Sequence, residues 1–174
     1  MKALTFAVIT VSDRSSRGER PDASGPAICN FIEEHGCVVG NVAIIPDEQT
    51  RIQEELIKLC GQPEIDVILT SGGTGVAEKD VTPEATREVS EKLIPGISEY
   101  MRAKSILTTT HAMLSRGIAG IREKKIIINL PGSPKGAVES LSFVFEILQH
   151  TVAQIKNLPS AHDHIPIKNE KEDK

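Results

Sequence analysis

Residues 66–85 read DVILTSGGTGVAEKDVTPEA. Asp66 to Thr70 is a short apolar run of the kind that forms a strand buried on both faces. Ser71-Gly72-Gly73-Thr74-Gly75 stops it. Thr82-Pro83 then predicts a helix start, with Thr82 as the N-cap and Pro83 at the first helical position. A buried strand, a glycine loop and a helix in immediate succession are the unit of a parallel sheet with crossover helices.

The same alternation extends in both directions. Upstream, Leu4 to Val11 reads as a first strand, followed by a polar loop from Ser12 to Gly25 in which Asp22, Ser24 and Gly25 suit a capping region. Pro26 to His35 is amphipathic, and Gly36 closes it as a C-terminal cap. Val38 to Ile45 is the second strand. Asp47 is placed to open a helix whose buried face is Ile52, Leu56, Leu59 and Cys60. Downstream, a short helix follows Ile94-Pro95-Gly96 and runs to about Ser105. Ile118 to Ile121 and Lys125 to Leu130 flank REKK, which either turns a hairpin or links two strands. The last helix repeats Val138, Leu141, Phe145, Leu148, Val152 and Ile155 at intervals of three and four. The expected architecture is α/β with three layers: a mostly parallel central sheet and helices on both faces. One domain spans residues 1–156, and residues 157–174 form a polar, flexible tail.

Composition narrows the function classes. The chain has 174 residues, a net charge of −4 and a pI of about 5.8. No basic cluster offers itself to a nucleic acid backbone, and with no Trp and one Tyr there is little for bases to stack on. No apolar run reaches the roughly 20 residues of a membrane helix. The apolar N-terminal stretch has strand-like order and no small-residue cleavage site after it, so it reads as a core strand rather than a signal peptide. Cys29, Cys37 and Cys60 are odd in number and form no C-x-x-C pair, which fits reduced, buried thiols in the cytoplasm. The histidines form no metal-binding spacing; His162 and His164 stand two apart in the tail.

In a parallel sheet, ligands bind beyond the carboxyl ends of the strands. Four loops lie there: Ser12-Asp13-Arg14, Pro46-Asp47, Ser71 to Gly75, and Pro131-Gly132-Ser133-Pro134-Lys135-Gly136. Together they supply glycine backbone, hydroxyls, carboxylates, an arginine and a lysine, which is the inventory of a phosphate and metal site. SGGTG can form an anion nest of inward N–H groups, or a tight strand-to-helix turn. It is neither a Walker A loop nor a G-x-G-x-x-G fingerprint. Asp47 and Asp80 can each support a helix N-terminus, or together hold Mg²⁺, which favours one or two carboxylates plus substrate phosphates. Ser133 and Pro134 suit the start of a helix that accepts an anion, with Lys135 adding charge; the segment also reads as a rigid turn.

The ordered set VSDRSSRG, IPDE, LTSGGTGVAEKDVTPEA, LSRG and INLPGSPKG resembles the molybdopterin-binding domain of MogA-type molybdopterin adenylyltransferases, a domain type also present in gephyrin. The resemblance runs from about Leu4 to Ile155. It implies a cytoplasmic nucleotidyltransferase of molybdenum cofactor biosynthesis, using ATP, molybdopterin and Mg²⁺. It further implies a homotrimer and handover of the product to a separate molybdenum-insertion protein. Carried onto this chain, the resemblance puts metal and catalysis on Asp47 and Asp80. Substrate contacts would come from Ser12, Asp13, Arg14, Ser71, Gly72, Gly73, Thr74, Gly75, Glu84, Ser115, Arg116, Pro131, Gly132, Ser133, Pro134 and Lys135. Arg20-Pro21 departs from the aromatic or aliphatic residues common there in the family. Two other activities suit similar loops: a non-catalytic molybdopterin carrier or scaffold, and a hydrolase of nucleotide pyrophosphate bonds.

Overall fold

The computed structural model describes residues 3–158. Six strands form one sheet in the order β2-β1-β3-β6-β5-β4, comprising β1 (Thr5–Val11), β2 (Val38–Ile45), β3 (Val67–Ser71), β4 (Lys92–Leu93), β5 (Ala119–Arg122) and β6 (Lys125–Leu130). The first four in that order run parallel, and β5 lies antiparallel to both β6 and β4. The helices are α1 (Asp13–Ser16), α2 (Ser24–Glu34), α3 (Gln49–Cys60), α4 (Thr82–Val89), α5 (Pro95–Ile106) and α6 (Pro134–Ile155), with a 3-10 turn at Thr110–Leu114.

Strand side chains alternate between two cores, as the pleat requires. Phe6 and Val8 of β1, Val67 and Leu69 of β3, and Ile126 and Ile128 of β6 pack with Ile28 and Ile32 of α2 and Leu141, Val144 and Leu148 of α6. Ala7, Ile9, Ile68 and Ile127 point the other way, onto Ile52, Leu56 and Leu59 of α3 and Ala85 and Val89 of α4. Each fully buried Ile or Leu stabilises by about 1.5–3 kcal/mol, so both faces are needed to hold the sheet. Helices on both faces of a mixed, mainly parallel sheet are the expected three-layer arrangement.

REKK turns a hairpin: β5 and β6 pair antiparallel, with Glu123 and Lys124 at φ 45° and 63°. Several helix boundaries differ from the sequence reading, each for a local reason. The long first loop contains α1, capped by Ser12 Oγ, which accepts the Ser15 N–H at 3.2 Å. Helix α2 starts at Ser24, ahead of Pro26, because Asp22 Oδ1 accepts the N–H groups of Ser24 (3.0 Å) and Gly25 (3.2 Å). Asp47 does not cap α3: that helix begins at Gln49 with Glu48 as its N-cap residue. Thr82 is already helical; its hydroxyl donates to Gly72 O at 2.9 Å instead of capping. Ser133 does cap α6, accepting the Gly136 N–H at 3.2 Å.

Cys37 and Cys60 are buried free thiols, whereas Cys29 is only half-buried beside the core. Burial pushes the Cys60 thiol up to about 11. No described helix is long and apolar enough to cross a membrane. Asn157 and Leu158 extend past α6; the rest of the expected tail, with His162 and His164, lies outside the described residues.

Candidate functional site

The chain leaves β1 toward β2 on one side and returns to β3 on the other, so the strand order reverses between the parallel β1 and β3. Loops after these strands splay apart there and open a crevice. A cavity of about 310 Å³ occupies it, walled by the loops following β1, β2, β3 and β6. The convergence expected from the sequence is therefore present: Ser12, Arg14, Asp47, Ser71, Gly72, Gly73, Asp80, Gly132 and Pro134 all line this space.

Asp13 and Asp47 bind one another's backbone. Asp13 N–H donates to Asp47 Oδ2 at 2.8 Å, and Asp47 N–H donates to Asp13 Oδ1 at 3.0 Å. The Asp47 carboxylate is thus taken from the helix behind it and fixed at the cavity floor, 7% exposed. Lys79 Nζ stands 3.9 Å from Oδ2 of both aspartates, which adds a positive charge above the pair. The turn carrying Asp80 is closed on itself: Asp80 N–H donates to Ala77 O and Asp80 Oδ2 accepts the Ala77 N–H, both at 2.9 Å.

Two glycines make the floor possible. Gly72 sits at φ 109°, where a Cβ would run into the Val11 carbonyl oxygen; Gly73 sits at φ 63°, where a Cβ would run into Thr82 Oγ1 and approach Asp47 Oδ1 to 3.4 Å. Only glycine takes both the conformation and the space. Opposite, Thr10 Oγ1 donates to Asp22 Oδ2 at 2.8 Å, so Asp22 ties the start of α2 to β1 beside the crevice.

The donors fit a hard divalent cation, for which carboxylate oxygens are the usual protein ligands. Among the described residues no three histidine, cysteine, aspartate or glutamate side chains are grouped for a metal. A cation in this crevice would therefore need most of its oxygen ligands from outside the described carboxylates.

A second cavity of about 260 Å³ opens on the far side of Gly132, which lines both. Its walls are α5, the 3-10 turn, the 115–117 segment and the first turns of α6, and it receives Thr74, Gly75, Ser115, Pro131 and Ser133. Met101 and Leu114 give it apolar surface; Arg102, His111 and Asn129 give it polar groups. Asn129 is held rigidly: Nδ2 donates to Thr70 Oγ1 (2.9 Å) and Thr86 Oγ1 (2.8 Å), and Oδ1 accepts the Ile118 N–H (3.1 Å).

Of the remaining candidates, Lys135 is exposed on α6 and lines neither cavity. Glu84 and Arg116 also line neither and form an ion pair with each other. The Arg116 guanidinium, hydrogen-bonded to the Glu84 carboxylate, holds that carboxyl below its ordinary range. Sequence reasoning missed Lys79, although it stands next to Asp80, because a single lysine in an exposed loop carries no pattern. It also missed the α5 wall of the second cavity, because side chains one helical face apart form no motif.

The family described as "Probable molybdopterin binding domain" matches residues 7–150. A molybdopterin adenylyltransferase of Helicobacter pylori is 42% identical over 154 residues, covering 87% of this chain and 88% of that one. The Drosophila melanogaster molybdenum cofactor synthesis protein cinnamon is 44% identical over 155 residues, which span 87% of this chain and 26% of that longer protein. The crystal structure of the molybdopterin biosynthesis enzyme MoaB from Thermus thermophilus superposes with a TM-score of 0.83 at 42% identity, covering 90% of this chain and 98% of that one. With its sheet order, its glycine floor and these matches over nearly the whole chain, the protein belongs to the molybdopterin-binding domain family.

Proposed function

We propose that this protein is a molybdopterin adenylyltransferase of molybdenum cofactor biosynthesis. The observation that carries the reading is the pair of cavities meeting at Gly132, one lined by carboxylates and cationic side chains, the other partly apolar. The crevice with Asp47, Asp80, Lys79 and Arg14 takes the phosphates of ATP. The cavity against α5 takes the pterin, with Ser115, Ser133 and the Pro131-Gly132 backbone as contacts. Molybdopterin's terminal phosphate then reaches the shared boundary. Its oxygen attacks the α-phosphorus of ATP, the bond to the bridging oxygen breaks, and pyrophosphate leaves with the electron pair.

A phosphate nucleophile is ionised near neutral pH, so the protein need supply no general base. Positioning and charge neutralisation carry the step. Gly72 and Gly73 let the backbone turn tightly along the crevice floor; Lys79 and Arg14 balance the charge of the ligand phosphates; Asp47 and Asp80 would hold Mg²⁺. That ion, when bound, neutralises charge on the transferred group and the leaving pyrophosphate. The active form is proposed to be a cytoplasmic homotrimer that passes its product to a separate insertion protein. The exposed Val38, Val42 and Ile44 on edge strand β2 support self-association.

The test is product formation by the wild type, D80A and D47N, followed by mass spectrometry. Wild type is expected to yield adenylylated molybdopterin. Each variant is expected to lose at least ~10²-fold in turnover while still binding molybdopterin. Undiminished turnover in D80A would remove Asp80 from the chemistry. Tight molybdopterin binding with no product from any form would make the protein a carrier.

A further inference from the structure

Arg116 has an unusual set of partners for a half-exposed arginine. Its own N–H donates to Thr74 O at 2.8 Å. Its guanidinium donates from Nε to Gly75 O at 2.6 Å, from Nη2 to Asp80 O, and through Nη1 and Nη2 to the Glu84 carboxylate. One side chain therefore grips both ends of the 75–80 loop and the first turn of α4. Among the described residues little else fastens that loop. The Ala77–Asp80 bonds are internal to it, and Lys79 reaches Asp13 and Asp47 only at 3.9 Å. Val76 is 67% exposed.

The residues on either side of Arg116 belong to the other cavity. Ser115 and Gly117 line the space against α5, and Arg102 Nη1 of α5 donates to Gly117 O at 2.8 Å. The 115–117 segment is thus a strap with one side on the α5 cavity and the other side on the loop that carries Lys79 and Asp80 into the crevice.

We propose that Arg116 is a positioning residue that couples the two cavities: a ligand seated against Ser115 and Gly117 fixes the strap, and the strap fixes Asp80 for the nucleotide and its metal. The inference rests on the two-substrate reading above. Coupling of this kind is reciprocal, so nucleotide must tighten pterin binding as much as pterin tightens nucleotide binding.

Calorimetry with Mg²⁺ and α,β-methylene ATP, with and without saturating molybdopterin, tests it without turnover. In the wild type, molybdopterin is expected to tighten nucleotide binding by roughly 10-fold, within the usual range of such couplings. R116K keeps the charge but lacks the planar fork. It should bind molybdopterin alone within about twofold of wild type while the tightening falls below about twofold. E84Q leaves both carbonyl contacts and should fall between, at about 3-fold. Full tightening in R116K, no tightening in the wild type, or full tightening in E84Q should R116K fail to fold, would each overturn the proposal. Wild-type protein that binds the nucleotide analogue but no molybdopterin would instead overturn the two-substrate reading itself.

Discussion

Gly73 shows how much of the site depends on single residues. Its φ of 63° and the Thr82 hydroxyl behind it leave no room for a side chain. Ala at 73 would carry a left-handed backbone cost of about 1–2 kcal/mol and would also push Thr82 away from Gly72 O. G73A is therefore expected to lower stability by about 2–4 kcal/mol in urea denaturation, with turnover lost even where the fold survives. Glu84 gives a pH signature. Its carboxyl is held below its ordinary range by Arg116, so the ion pair contributes stability that is fully present above the unfolded glutamate value of about 4.3 and is lost as pH falls through the lower folded value. The pair is about 40% exposed, which limits the contribution to about 1 kcal/mol or less. Comparing E84Q with wild type in denaturant should show a small deficit at pH 6–7 that vanishes toward pH 3. A deficit that grows with acid would contradict the assignment. At this scale the sequence shows that Gly72 and Gly73 turn the backbone, as their positive φ bears out, while leaving open whether the loop is an anion nest or only a tight turn. It was ambiguous at Asp47, where a cap and a cavity carboxylate occupy the same position in the chain and only the partner, the Asp13 N–H, separates them.

Elements were readable where period and chemistry agree. The four parallel strands and the long helices α3 and α6 follow from their apolar spacing, and Ser133 with Pro134 starts α6 as expected. Helix α1, four residues long, has no period to read; only its Ser12 cap marks it. The 122–125 hairpin is ambiguous in the sequence because Glu123 and Lys124 are not the Asn or Gly that usually take positive φ in a two-residue turn. That mismatch is itself testable. K124G relieves the left-handed cost at φ 63° and should stabilise the protein by about 0.5–1 kcal/mol, read as a higher urea midpoint at unchanged slope. A lower midpoint would mean that the Lys124 side chain contributes more than its backbone conformation costs.

The whole molecule places its chemistry by topology. Reversal of the strand order between β1 and β3 opens one crevice; the antiparallel turn back through β5 brings the 115–117 strap beside the β3 loop; and Gly132 stands where the two cavities meet. The first of these was legible from four loops at parallel strand ends. The second cavity was not, since α5 and the 3-10 turn reach it from residues 95–114 without a motif. If the two cavities bring the substrates together, molybdopterin and AMP become joined through a phosphoanhydride bond. Incubation with molybdopterin, Mg²⁺ and ATP labelled either at the α- or the γ-phosphate tests it most directly. Only the α-label is expected on molybdopterin, with the γ-label released in pyrophosphate. Molybdopterin that stays unlabelled in both reactions while bound to the protein, or that acquires the γ-label, would contradict it.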